Sequence, residues 1–563
     1  MFSKGQRAVY LMSGLFILVM ANMLAGRFFF KIDMTEDKRY TLSPSTIALI
    51  EELPDVVFVR VLLTGKFPAG FKRLQTAVRE MLQEFQSINS NVKFEFEDPL
   101  EGSTEEINER MKSYAQAGMS PTQLNVKTNA ETSQQRIFPF AIFHFGERQV
   151  AVSVLESSTP GMSPEQSLNN SISLLEYKFG NAIQKLFATR KPNILFTRGQ
   201  GELSHFQTAD LERSIRAFYQ TGRVNLDSLY QIPREIDLVI VAKPLSPFSE
   251  KEKFVLDQYV MNGGKIIFLI DRLRVNLDSI QVRGQYMPHD ISLQLDDLLF
   301  NYGVRILPNL VMDLECSRIP MVVGKVGDRN QYELFPWYYH LIASPNPDHP
   351  IGRNLDRINL FFPASIDTIR TETPVVKTPL LMSSNYTRLQ FSPTILDFEI
   401  LKVEPDPQKF NKPSQAMAWL LEGVFPSLYK HRVSSEMLET LEAIDATFQP
   451  QSVPTSLLVI SDGDLAANRS AASGNQIREL GYNPYEQYTY DNKAFLVNCI
   501  EYMTDQHGLM QARNKEVKLR LLDQPRIKAE RLKWQLINVI GPMLFLIGVG
   551  ILLHYRRSLK FNR

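Results

Sequence analysis

The chain has 563 residues, 62 basic and 61 acidic side chains, a formal net charge of +1 and two cysteines. Its length calls for two or three folded units. The near-zero charge excludes the field of a nucleic-acid binder, and Cys316 and Cys499 exclude a disulfide framework. One bridge between them is open in an oxidising compartment; buried, unpaired thiols are the plainer state.

Residues 1–8 form a short tail carrying Lys4 and Arg7. An uncharged apolar run from Val9 to Gly26 follows, and with its flank to residue 30 it reads as a first membrane helix. About 18 residues of helix rise roughly 27 Å, enough with anchoring flanks for a hydrocarbon core of about 30 Å. A cleaved signal peptide is the rival reading. The run ends Met23-Leu24-Ala25, with Met where cleavage prefers a small residue, so an uncleaved anchor is expected.

Residues 31–190 read as one α/β unit. Val56–Leu63 is a buried strand. Phe71, Leu74, Val78, Met81, Leu82 and Phe85 lay one apolar stripe along a helix. Val92, Phe94 and Phe96 alternate with Lys93 and Glu95, the period of a half-buried strand. This β-α-β order implies a parallel pair. Ala141–Phe145 and Gln149–Val154 flank Gly146-Glu147-Arg148 as a hairpin, and a helix over 171–187 closes the unit. The order suggests a thioredoxin-like arrangement. No Cys-x-x-Cys occurs, so redox chemistry is not expected.

Residues 191–312 read as a doubly wound α/β domain. Its strands are Asn193–Thr197, Asp237–Val241 and Lys265–Ile270. One helical face is marked by Leu211, Ile215 and Phe218. A second helix, Ser249–Met261, opens with Ser249 and Glu252 in capping-box spacing and ends at Asn262-Gly263-Gly264. Over 313–450 prolines are frequent and apolar runs short, giving a mixed, β-rich elaboration without a legible topology. Residues 451–510 return to the α/β domain through the strand Ser456–Ile460 and a helix over 492–503. A basic stretch, 511–533, then reads as a membrane-proximal stalk whose Lys and Arg either lie along lipid headgroups or are simply solvated. The second apolar helix, 534–555, has its uncharged run at Leu536–Leu553, and a tail of 556–563 carries Arg556, Arg557, Lys560 and Arg563. Short basic tails stay inside, whereas long domains cross regardless of charge. Both termini are therefore expected in the cytoplasm, with the body outside it. Gly541-Pro542 invites a kink, and Gly541, Gly548 and Gly550 offer small-residue packing against another membrane helix, or simply face lipid.

Candidate sites gather where strands end. Arg198-Gly199-Gln200-Gly201-Glu202 joins a strand to a helix, and backbone amides in such a loop can cradle phosphate. A dinucleotide fingerprint would need a third Gly at Ser204 and a well-placed acid, which Asp227 is not. A tight turn is the simpler use of Gly199 and Gly201. Asp271, Asp462 and Asp464 also follow strands, and with Glu202 they are expected to converge on a crevice at the carboxyl ends of the sheet. A hard cation needs several such oxygens; the plainer role of Asp462 and Asp464 is a capping turn. No P-loop exists: Gly264-Lys265 and Gly324-Lys325 lack the upstream Gly and the hydroxyl. The eight histidines never pair at metal-binding spacing, and Gly-x-Ser-x-Gly is missing. No metal, cofactor or catalytic residue is expected, and His205 is read as a solvated or capping residue.

Several words in order resemble one family: Lys38-Arg39-Tyr40-Thr41-Leu42-Ser43, Phe67-Pro68-Ala69-Gly70-Phe71, Gly199-Gln200-Gly201-Glu202, Ala242-Lys243-Pro244, Pro247-Phe248-Ser249-Glu250-Lys251, Leu256 to Gly264 running on to Phe268-Leu269-Ile270-Asp271, and Ser461-Asp462-Gly463-Asp464. Together they resemble the gliding-motility-associated auxiliary subunit of a bacterial ABC transporter, the G component of the Gld system. The resemblance implies a Bacteroidota inner-membrane protein with a large periplasmic body, a polytopic permease and a separate cytoplasmic ATPase as partners, and a link to type IX secretion and other gliding components. The second domain also looks distantly like a class I glutamine-amidotransferase fold. That chemistry needs a Cys in a strand-to-helix turn, which neither cysteine occupies, so the fold is expected without it. The reading is therefore a non-catalytic, membrane-anchored coupling subunit. Its rivals are a periplasmic ligand-binding receptor with its crevice near Gly199, Gly201, Asp271 and Asp462, and a hydrolase using Glu202, His205 and Asp271.

Overall fold

The structure is a computed structural model. It describes residues 12–14, 16, 19, 20, 41–65, 67–127, 132–156, 163–188, 190–275, 277–433, 447–469, 477–505, 508–514 and 524–561. The chain divides into two units, Met1–Glu516 and Val517–Arg563.

The first unit opens with helix α1 (Pro44–Glu51), capped by Ser43. Strand β1 (Val57–Val61), helix α2 (Ala69–Ile88) and strand β2 (Val92–Phe96) follow, and β1 and β2 pair in parallel. The apolar stripe works as its spacing implies, since Leu74, Val78, Leu82 and Phe85 are the buried residues of α2. Two elements escape sequence reading. Helix α3 (Thr104–Gln116) buries only Tyr114 and stands on its Ser103–Glu106 capping box, and Thr122–Lys127 pairs with Thr132–Ile137. Both are polar, so neither leaves an apolar period. Strands β3 (Phe140–Phe145) and β4 (Arg148–Ser153) form the expected hairpin, with β3 antiparallel to β1. The sheet order is β2-β1-β3-β4. Helices α4 (Pro164–Ser173) and α5 (Leu175–Phe187) complete this part, with Phe179 and Ile183 in its core.

Next come β5 (Asn193–Arg198), α6 (His205–Ile215), β6 (Gln220–Asn225), β7 (Ile236–Ala242), α7 (Glu250–Met261) and β8 (Ile266–Leu269). The elaboration contributes β9 (Cys316–Val326), β10 (Arg329–Pro345), β11 (Val375–Met382) and β12 (Ala416–Gly423). Strand β13 (Thr455–Ile460) and helix α8 (Asn492–Thr504) follow. One ten-stranded sheet runs β9-β10-β11-β12-β13-β8-β7-β5-β6, with Ile358–Asn359 pairing off β10. From β6 to β13 every neighbour is parallel. From β13 to β9 every neighbour is antiparallel. The sheet is thus mixed, and the elaboration extends it rather than standing beside it. The edge strand β6, Gln-Thr-Gly-Arg-Val-Asn, carries too few apolar residues to have been legible.

Alternation builds the two layers. In β7, Leu238, Ile240 and Ala242 face a core closed by Leu211 and Ile215 of α6 and Phe495, Leu496 and Ile500 of α8. Val239 and Val241 face the opposite core, closed by Val255, Leu256 and Val260 of α7 and by Leu298, Leu299 and Tyr302. Each fully buried aliphatic side chain contributes about 1.5–3 kcal/mol, and covering both faces is what a central parallel strand requires.

One expectation about the flanks changes. The stalk is not one solvated basic stretch. Leu509–Asn514 is a 3-10 turn in which Arg513 is buried, and the basic residues from 524 onward belong to helix α9 (Gln524–Phe561). The second unit holds α9, about 57 Å long at 1.5 Å per residue. Within it Ala529–Leu559 is long and apolar enough to cross a membrane. The helix continues through Pro542, and a Cβ at Gly541, Gly548 or Gly550 meets no described atom within 4 Å. The first span, 9–30, lies largely outside the described residues; those described there are helical and exposed.

Candidate functional site

Order reverses beside β5, since β6 lies on one side of it and β7 on the other. Ligands of open α/β sheets bind in the crevice at such a switch point. Here the crevice is stitched shut by backbone. Leu245 and Ser246 donate their amides to the Gln200 carbonyl at 2.7 and 2.9 Å, and Leu203 donates to Ala242 at 2.9 Å. Gly199 and Gly201 serve the turn. Their φ angles are 124° and 79°, and added Cβ atoms would stand 3.0 Å from Asn225 Oδ1 and 3.2 Å from Leu245 Cβ. Ser204, where a fingerprint would want glycine, caps α6 in a capping box with Gln207.

The loop also supplies its own anion. Glu202 Oε2 accepts from the Gln200 amide at 2.8 Å, and Gln200 Nε2 donates to Glu252 Oε1 of α7 at 2.6 Å. Glu202 therefore does not join the aspartates, contrary to expectation: its carboxylate is drawn to the nearest amide. His205 is turned away as well. Its exposed ring pairs through Nδ1 with Glu212 at 2.8 Å, and Glu212 is also held by Arg223. A Glu202–His205–Asp271 catalytic group is not assembled.

The three aspartates do converge. Asp271, Asp462 and Asp464 can each place a ligand atom within 4.8 Å of the others. Asp271 follows β8, Asp462 follows β13 and caps the 3-10 turn Gly463–Ala466. Asp462 accepts from the Asp464 amide at 2.7 Å and from Phe361 at 2.8 Å, while Asp271 accepts from Gly463 at 2.6 Å. The capping role of Asp462 is thus realised.

Between them stands a cation that sequence reading missed. Lys243 Nζ lies 2.5 Å from Asp464 Oδ1 and 3.4 Å from Asp271 Oδ2. Lys243 follows β7 in a left-handed backbone conformation, φ 56°, which costs a non-glycine residue energy and persists where surroundings enforce it. Burial alone would depress its ammonium, but Asp464 and Asp271 hold it above the ordinary lysine range. Burial pushes Asp271 up to about 6 against the pull of Lys243. Burial, then the charges of Asp271 and Asp464, push Asp462 well above the carboxylate range. The oxygens suit a hard cation in kind, yet Lys243 already provides their positive charge. The signal was available: Lys243 ends an apolar strand, as Asp271 and Asp464 sit just beyond two others. Cys316 and Cys499 are both free thiols.

Residues 191–499 match a family described as an ABC-type uncharacterized transport system, and residues 36–144 match a domain of unknown function. An uncharacterized protein of Borreliella burgdorferi is 24% identical over 421 residues, covering 72% of this chain and 75% of its own. Among solved structures, the mmIFT52 N-terminal domain is 13% identical and covers 56% of this chain and 97% of its own, with a TM-score of 0.31.

Proposed function

Because the chain belongs to the auxiliary family of ABC-type transport systems, we propose that it is a non-catalytic, membrane-anchored subunit that couples a polytopic permease and a separate cytoplasmic ATPase to a folded body on the far side of the membrane. The finer reading is the G component of the Gld gliding system in a Bacteroidota inner membrane, linked to type IX secretion. Both termini are cytoplasmic and the body periplasmic. The order along the chain of short words that resemble that family, such as Lys243-Pro244 and Asp462-Gly463-Asp464, supports that assignment, and the short basic tails support the orientation. The reading also takes 31–190 as thioredoxin-like, for its β2-β1-β3-β4 order, and the larger sheet as glutamine-amidotransferase-like, for its five parallel strands.

One observation carries the non-catalytic reading: both places where a reacting ligand would sit are filled from within, Lys243 among the aspartates and Glu202 on the Gln200 amide. The membrane anchor is supported by Ala529–Leu559. A receptor for a small ligand is the second reading. What favours it is a cavity of about 860 Å³ lined by Tyr177, Lys185, Phe218 and Glu501 among others, a size typical of ligand sites.

Purification of the tagged full-length chain in mild detergent tests the coupling. A permease and an ATPase are expected to co-purify in fixed ratio, and alanine at Asp271 or Asp462 is expected to leave that assembly intact wherever the chain folds. Recovery of the chain free of both partners would overturn the reading. A ligand that raises its melting temperature through the cavity would favour the receptor.

A further inference from the structure

The seam between the two sheets is loosely packed. A cavity of about 310 Å³ and the one of about 860 Å³ both border it, and Val150, Tyr177, Asn181, Lys185, Phe218 and Glu501 line both. One polar bolt crosses the seam. Glu501 of α8 accepts from Lys185 Nζ of α5 at 2.7 Å and from the Tyr177 hydroxyl, which itself accepts from Asn181 at 2.8 Å. Lys185 also stands 4.1 Å over the ring of Phe218.

The turn Leu509–Asn514 is laid across this bolt. Leu509, Met510 and Ala512 are each at most 2% exposed. Leu509 packs beside Gly180 of α5, and Met510 and Ala512 share a cluster with Tyr177. Arg513 reaches the other side, donating to Asn498 Oδ1 of α8 at 2.7 Å and to the Arg353 carbonyl at 3.1 Å, with its guanidinium 5.1 Å over the Tyr177 ring. Its Nε is buried without a partner, so the residue is held by fewer bonds than its burial demands. The turn precedes α9 by ten residues along the chain.

We propose that Leu509–Asn514 is a latch across this seam, withdrawn by movement of the membrane helix that follows it, so that its release lets the two sheets part at Glu501. The latch keeps the seam closed at rest because its apolar side chains gain burial only while both sheets are in place, and pre-existing cavities lower the cost of opening the seam. This deepens the coupling reading, giving it a moving part. The latch is read in the isolated chain, so its failure is distinct from a failure to find transporter partners.

Hydrogen exchange on the full-length chain in detergent tests it. Arg513→Ala is expected to raise exchange at least tenfold in amides of Leu175–Phe187 and Asn492–Thr504, while Ile266–Leu269 and Thr455–Ile460 stay unchanged. Tyr177→Phe removes one hydroxyl and is expected to raise the same two helices by a smaller factor, which keeps the test alive if Arg513→Ala fails to fold. Unchanged exchange in Leu175–Phe187 in the folded variants, or a uniform rise across both sheets, would overturn the latch.

Discussion

The ammonium of Lys243 lies 2.5 Å from the carboxylate of Asp464, and the two residues come from loops after different strands, β7 and β13. Two aspartates, buried Asp271 and half-buried Asp464, thus share one lysine, with Asp462 beside them. Removing the cation leaves the Asp271 and Asp464 carboxylates without their partner in a largely buried site, and breaking a buried pair typically costs about 3–5 kcal/mol. Lys243→Met is expected to destabilise the full-length chain by that amount in urea titration. Adding Asp464→Asn is expected to restore part of the loss. A cost below about 1 kcal/mol for Lys243→Met, the level of an exposed pair, would show that the cluster does not depend on this lysine.

An occupied cation position has a second consequence. Calcium or magnesium at concentrations far above cytosolic levels is expected to leave the melting temperature of the wild-type chain unchanged. A resident divalent ion at 100 times its dissociation constant would add about 2.7 kcal/mol and a clear upward shift.

One buried and one half-buried acid give opposite pH signatures. Asp271 is raised in the folded chain to about 6 from 3.8, so its contribution to stability is full below its unfolded pKa and is lost as pH rises from about 4 through 6. Glu501 runs the other way. Burial pushes it up, but Lys185, Tyr177 and Arg513 hold it below its ordinary value, so its contribution is present above the unfolded pKa and is lost as pH falls. Stability measured against pH for Asp271→Asn and Glu501→Gln, each subtracted from wild type, is expected to slope in these opposite senses. Parallel difference curves would refute the assignment.

Glu202 competes with any external anion for the Gln200 amide. Glu202→Ala is expected to cost about 1.5–3 kcal/mol, the worth of a charge-assisted hydrogen bond, and to let millimolar phosphate stabilise the variant where it leaves the parent unmoved. Equal responses of variant and parent would show that the carboxylate is not what fills the loop.

Gly463 sits where a Cβ would come 2.7 Å from Lys243 Cγ and 2.8 Å from its Cβ. Gly463→Ala is expected to push Lys243 off its aspartates and destabilise by about 1–3 kcal/mol, as overpacking does. A neutral substitution in calorimetry would mean that the lysine adapts freely.

Much of the architecture was legible one element at a time. The stripe from Leu74 to Phe85, the alternation of Val92, Phe94 and Phe96, and the Ser249–Glu252 capping box each rest on neighbours within a few residues. Elements that lack an apolar period, such as α3 and β6, were silent because no buried stripe marks them: α3 rests on its capping box and β6 on its pairing with β5. The site divides similarly. That Asp271, Asp462 and Asp464 end strands was readable; that Glu202 turns back to its own loop was not, since a carboxylate takes the nearest unsatisfied donor, and that is a matter of ångströms.

The sequence by itself determined the local elements, the apolar helix at 534–555 and the absence of known catalytic words, because period, charge and spacing act along the chain. Only the tertiary structure decided that Lys243 neutralises acids from residue 271 to residue 464, that the elaboration extends the parallel sheet, and that Arg513 is buried across a seam rather than exposed on a stalk. Those outcomes depend on which distant groups share a low-dielectric interior, and burial makes each pairing there obligatory.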